Sequence, residues 1–177
     1  MPDGIVDEDH GQVRLPVGSS YKTSACIVDA LEAWGAALEE TEQGPLTRLQ
    51  SKMDNGPESR GRRTQFLQRM VKFCDAIGQP IQLWYYPPSH SQDHPIERGW
   101  GLLEVHGNGT KLVERETRVE WAKSMPWKGR QPIVARSRKG YQKAVTLSKK
   151  AMQEVEARRA RHPELPKWDI LIHPVST

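Results

Sequence analysis

The sequence predicts an α/β chain, and two kinds of residue spacing predict it. Short runs that alternate apolar and polar residues, as in Val13, Leu15 and Val17 or Ile81, Leu83 and Tyr85, carry the period of a strand. Longer runs with apolar residues at i, i+4, i+7 and i+11, as in Ile27, Leu31, Trp34 and Leu38, define a helix stripe. The two patterns alternate along the chain, as they do in α/β folds where helices flank a sheet. At 177 residues the chain is long enough for one domain with a sizeable core, within the usual range of about 100 to 200 residues.

Taken in order, the acidic start reads as loose, with Ile5 and Val6 as the tail of a strand. Pro16 marks the strand from Val13 to Val17 as an edge or a strand end, because proline has no N–H to give a ladder. Thr23 or Ser24 caps the first helix, and Gln43-Gly44-Pro45 ends it. Leu46 to Met53 reads as an inner strand delivering Asp54, yet it contains Thr47, Arg48, Gln50, Ser51 and Lys52. A buried parallel strand is nearly all apolar, so this polarity calls for an edge position or relaxed selection. Phe66 to Ile77 forms an amphipathic helix closed by Gly78, followed by the strand Ile81 to Tyr86, which Pro87 and Pro88 end. Pro95 opens the next helix, with Ile96, Trp100 and Leu103 on its apolar side and His106-Gly107 at its end. Val119, Ala122 and Met125 mark a short helix, and Leu147 to Arg161 a longer one with Met152 and Val155 inward. Trp168, Ile170 and Ile172 alternate as a terminal strand or extended arm.

Candidate chemistry lies at the joints between these elements. Glu97 falls in the first turn of a helix beside a loop, where sites are commonly held; a carboxylate there also simply favours the helix dipole. Asp54 ends a strand in the turn-rich run Met53 to Glu58, about one helix and one strand before Glu97. Two such carboxylates suit Mg²⁺-bound phosphate chemistry. Arg60, Arg62 and Arg63 follow Asp54 closely and either meet phosphates bidentately or form an exposed arginine cluster. Trp127, beside Lys128 and Arg130, either stacks on an unpaired base or packs on the core. Glu104 lies two turns beyond Glu97 on the same helix face. His90 and His94 have ligand spacing only if helical, and the prolines around them make the segment a loop, so no zinc pair is expected. Cys26 and Cys74 fall on apolar helix faces and read as reduced core residues.

The net charge is +4 and unevenly spread. Residues 1–44 carry Arg14 and Lys22 against nine acids, whereas residues 111–162 hold fifteen Lys or Arg against five Glu. That asymmetry favours a polyanion partner for the C-terminal part, against the plainer alternative of a solvated helix surface. There is no apolar run of membrane-spanning length and no signal-peptide pattern, so a cytoplasmic protein is expected.

The runs MDNGPESRGRRTQFLQRMVKF, YYPPSHSQDHPIERGWGLLE, MPWKG and LPKWDILIHP, in this order, resemble the ISAzo-type family of bacterial insertion-sequence DDE transposases, from about Gly4 to Pro174. The resemblance implies an RNase H-like fold and the cutting and joining of DNA ends with two divalent ions, Mg²⁺ or Mn²⁺. It implies DNA and other transposase subunits as partners, and a nucleoid-associated place in the bacterial cytoplasm. Asp54 matches the second acidic residue of the family's triad and Glu97 the third; the first finds no match here. On this basis residues 1–110 are expected to be a catalytic core lacking its first strands, and 111–177 a basic helical extension. Strand transfer is then expected to be impaired. Departures from the pattern include His94 in place of the helix-capping Asn, Ser89 in place of Tyr and Gly107 in place of Trp. The alternatives are a non-enzymatic nucleic-acid-binding module or an inactive relic of the same fold.

Overall fold

The computed structural model describes residues 4–18, 23–39, 47–87, 90, 94–106, 115–137 and 147–175. In chain order their elements are β1 (Ile5–Asp7), β2 (Gln12–Gly18), α1 (Ser24–Glu39), β3 (Leu49–Met53), α2 (Thr64–Ile77), β4 (Ile81–Tyr85), α3 (Pro95–His106), α4 (Arg115–Ser124), β5 (Ile133–Ser137), α5 (Lys149–Ala157), β6 (Arg159–Arg161) and β7 (Asp169–Ile172). The chain divides into two compact units. The first is Met1–Lys22 with Gln92–Gly140, and the second Thr23–Ser91 with Tyr141–Thr177. Residues beyond 110 contribute to both, α4 and β5 to the first and α5, β6 and β7 to the second. The sequence turns at Ser89, Gly107 and Gln43-Gly44-Pro45 lie outside the described residues.

The first unit holds a three-stranded sheet in the order β1-β2-β5. β1 runs antiparallel to β2, with Val6 opposite Val13, and β5 runs parallel to it, with Leu15 opposite Val134. β2 is therefore the middle strand, although Pro16 marked it as an edge. The two facts agree locally, because β1 covers only Gln12 to Arg14. Among the described residues Pro16 has a strand neighbour on one side alone, opposite Ala135, so the missing N–H costs no ladder bond on the other side. Val13 and Leu15 point into a core completed by Ile96 of α3, Ala122 of α4, Met125 and Trp127.

The second unit holds a four-stranded sheet, β3-β4-β7-β6, in which only the β3–β4 pair is parallel. Leu49, Ile81, Leu83, Tyr85, Ile170 and Ile172 are buried on one face. Phe66, Leu67, Met70, Phe73 and Cys74 of α2 and Val155 of α5 are buried with them. The alternate positions Gln50, Lys52, Gln82 and Trp84 form the opposite face, where Arg48 and Gln50 donate to Gln82 Oε1 at 3.2 and 3.3 Å and Gln82 Nε2 donates to Asp169 at 3.0 Å. α1 packs on α2, which also meets α5 and β7.

Of the positions open to the strand before Asp54 the edge is the one it takes, whereas the length of the last helix is corrected. The strand before Asp54 is an edge strand, pairing among the described residues only with β4, and its polar alternation is what an edge tolerates. The helix expected to run to Arg161 stops at Ala157, and Arg159 to Arg161 form strand β6. Ser148 caps α5, accepting from the Ala151 N–H at 3.2 Å. At the other end the Arg158 side chain donates to the His173 carbonyl at 2.8 Å and pairs with Asp75, which turns the chain into register with β7. Strand pairing and these side-chain bonds outweigh the good helix propensity of Arg and Ala.

Candidate functional site

Asp54 is the first residue beyond β3, and its exposed carboxylate has no partner among the described residues. The loop that it opens, from Asp54 to Arg63, is held by its carbonyls. Ser59 Oγ donates to the Asp54 carbonyl at 2.9 Å, and the Ser59 and Arg60 N–H groups donate to the Gly56 carbonyl at 3.3 and 2.9 Å. Ser24 of α1 donates to the Glu58 carbonyl at 2.6 Å, Tyr85 of β4 to the Ser59 carbonyl at 2.7 Å, and Arg161 of β6 to the Gly61 carbonyl at 2.7 Å. Ser24, Ser59 and Tyr85 are buried, so each bond also satisfies a group that has left water. Burial pushes the Tyr85 phenol up from its ordinary value, which keeps it a donor. No sequence signal marked this network, because a backbone carbonyl is the same at every position.

Gly61 packs tightly against the sheet. A Cβ there would lie 2.3 Å from Ile170 Cδ1 and 3.4 Å from Tyr85 Cε2. Arg60 and Arg62 beside it are exposed, while Arg63 is half-buried and 3.7 Å from Glu58. Arg63 also leaves its Nε buried without a partner among the described residues.

Glu97 belongs to the other unit, in the first turn of α3, with an exposed carboxylate that has no partner among the described residues. Its N–H donates to the His94 carbonyl at 2.9 Å, and the Ile96 N–H reaches His94 Nδ1 at 3.4 Å. His94 thus does part of a cap's work with a ring nitrogen, where the resembled family has an Asn side chain. Glu104 is exposed further along α3. Asp7, near the N-terminus, is engaged in its own hairpin turn, accepting from the His10 N–H at 3.0 Å.

Trp127, for which base stacking and core packing were both open, is only 5% exposed and part of the first unit's core. Its ring has no free face to offer a base, and its Nε1 is buried without a hydrogen-bond partner among the described residues. Lys128 and Arg130 stay exposed. Reciprocal Trp127–Arg130 backbone bonds of 2.9 and 2.8 Å close a two-residue turn in which Lys128 has φ 46° and Gly129 φ 77°. Positive φ at both central positions is the geometry of a hairpin turn, easy for glycine and borne here by a lysine as well. Cys26 and Cys74 are buried thiols, on the inward helix faces that the sequence suggested. Burial pushes Cys74 up to about 11, and its Sγ donates to the Gln79 carbonyl at 3.2 Å.

Exposed carboxylates are the right donors for a hard cation such as Mg²⁺. Among the described residues, however, no group of three His, Cys, Asp or Glu stands where it could hold one ion. Nor is any helix among them long and apolar enough to cross a membrane.

Residues 1–174 match the family model described as the Rhodopirellula transposase DDE domain. The match spans nearly the whole chain, and the chain belongs to that family of transposase DDE domains. Helix-flanked sheets in a mixed α/β chain are consistent with it. No curated protein and no solved structure matches the chain.

Proposed function

We propose that this chain is the catalytic part of an insertion-sequence transposase of the DDE type, with an RNase H-like arrangement, acting on DNA ends and target DNA. The family match over residues 1–174 carries the reading. Asp54 and Glu97 are its acidic ligands for Mg²⁺ or Mn²⁺, by their match to the second and third acidic positions of the resembled family. Both carboxylates are exposed and uncommitted among the described residues, which suits that role. Two ions bound in such a site would activate water or a DNA 3′-hydroxyl and stabilise the leaving oxygen.

Calorimetric titration of the chain with Mg²⁺ and Mn²⁺, beside Asp54→Ala and Glu97→Ala, tests this. Binding in the micromolar to low millimolar range, lost in each variant, is the expected result. Unaltered binding in both variants would overturn the assignment of these ligands. The second reading, a nucleic-acid-binding module without catalysis, is favoured by the exposed Arg60 and Arg62 and by the basic balance of residues 111–162. Salt-sensitive DNA binding that ignores Mg²⁺ and survives both alanine substitutions is its signature.

A further inference from the structure

β6 contains two arginines at alternate positions, Arg159 opposite Ile172 and Arg161 opposite Ile170. Both therefore lie on the face of the sheet that carries its buried isoleucines. Among the described residues β6 pairs only with β7 and forms the edge, so charges here guard against edge-to-edge pairing. One arginine would suffice for that purpose, and the local arrangement goes further. Arg161 is fixed at both ends of its guanidinium, to the Gly61 carbonyl at 2.7 Å and to the Pro166 carbonyl. This anchors it at the loop opened by Asp54, beside Arg62, which is exposed and has no partner among the described residues. Arg159 pairs with Glu156. The guanidinium of Arg161 is held below its ordinary range by burial first and then by the charge of Arg159, with Arg62 adding to the effect and Glu156 opposing it. Arg159, whose side chain is only 10% exposed, spends its charge on Glu156, and of the three arginines Arg62 alone is exposed. Each has five N–H donors in a planar fork, more than these contacts consume.

We propose that Arg62, with Arg161 and Arg159 behind it, forms a seat for a backbone phosphate of nucleic acid, built jointly by the Asp54 loop and the sheet edge. The inference rests on the DNA reading above and adds to it the phosphate contact and two residues about 100 positions further along the chain than the loop. The occupant is nucleic acid because Arg62 offers an exposed planar fork, with the half-buried Arg161 beside it, on a chain with sequence pI near 9.1.

The test is binding of a fluorescent DNA duplex of arbitrary sequence to the full chain, in EDTA, over a series of KCl concentrations. Each lost phosphate contact lowers the slope of log K against log salt by about 0.9, which near 100 mM salt weakens binding roughly eightfold. Arg62→Gln is expected to show both changes whatever the DNA sequence. Lys72→Gln, an exposed cation on α2, is expected to show neither. Arg161→Gln removes a structural anchor as well, so Arg161→Lys, which retains the charge, serves to separate the roles and should preserve the slope. Among the described residues Arg62 has no structural bond to lose, and its variant decides the matter without a folding ambiguity. A wild-type chain that binds no DNA under these conditions, or an Arg62→Gln chain with unchanged slope and affinity, overturns the proposal. The assay contains no divalent ion, so failure of the metal site and failure of the phosphate seat register separately.

Discussion

Replacing Gly61 by alanine should be costly out of proportion to one methyl group. The added Cβ would stand 2.3 Å from Ile170 Cδ1, against an ordinary contact of 3.4 to 4 Å, so one partner must yield by more than 1 Å. Ile170 is 0% exposed at the centre of the β7 ladder and has little room to turn. The loop would have to lift instead, stretching the 2.7 Å bonds from Arg161 to Gly61 and from Tyr85 to Ser59. Overpacking of this kind costs about 1–3 kcal/mol. With a urea slope of about 2 kcal/mol/M, that lowers the unfolding midpoint by roughly 0.5–1.5 M. Ile170→Val removes the clashing Cδ1 and by itself costs about 0.5–1.5 kcal/mol. The double variant should therefore be no less stable than the sum of the single losses allows, and better than that sum by 1 kcal/mol or more. Urea unfolding of the four chains, followed by circular dichroism, measures this. If Gly61→Ala costs as much in the valine background as in the wild type, the close approach of loop to strand is not what constrains position 61.

Two further outcomes follow from buried groups. Cys74, pushed up to about 11 by burial against 9.0 for a free thiol, stays protonated in the folded chain while the unfolded chain ionises. The folded state then holds more protons between those values, so stability should be full below about pH 9 and fall by roughly 2–3 kcal/mol by pH 11; Cys74→Ala should flatten that limb of a urea-midpoint profile. Trp127→Phe removes an indole N–H that has no partner among the described residues. Relief of about 1–3 kcal/mol offsets a similar loss of apolar burial, so stability should change by no more than about 1 kcal/mol, where Trp127→Ala loses about 3–5. A large loss on Trp127→Phe would mean that the N–H has a partner after all.

Residue spacing was a good guide to elements that make their own pattern. The stripes of α1, α2 and α3 and the alternation of β2, β4 and β7 all lie close to where the sequence put them. Elements that depend on distant partners were harder to see. β5 is only five residues long and follows Gln131-Pro132, and β6 is written in helix-forming residues that strand pairing overrides. The polar run before Asp54 did signal an edge, and the structure bears that signal out. Trp127 illustrates the opposite difficulty, since an aromatic residue flanked by cations looks alike in sequence whether it faces solvent or core. The division into two units rests on which strands pair over long separations, information that no local window contains. At the candidate site the residue types were legible, but the bonds that set the Asp54 loop were not, because their acceptors are main-chain oxygens.

The anchors of that loop also arrive at different times. Ser24 is made before the loop, Tyr85 shortly after it, and Arg161 only 100 residues beyond Gly61. At translation rates of about 5–20 residues per second, roughly 5–20 s separate the loop from its last tether. During that interval β4 also lacks its β7 neighbour. A nascent or prematurely ended chain would therefore display Asp54 on a loop held by Ser24 and Tyr85 but still missing its Arg161 tether.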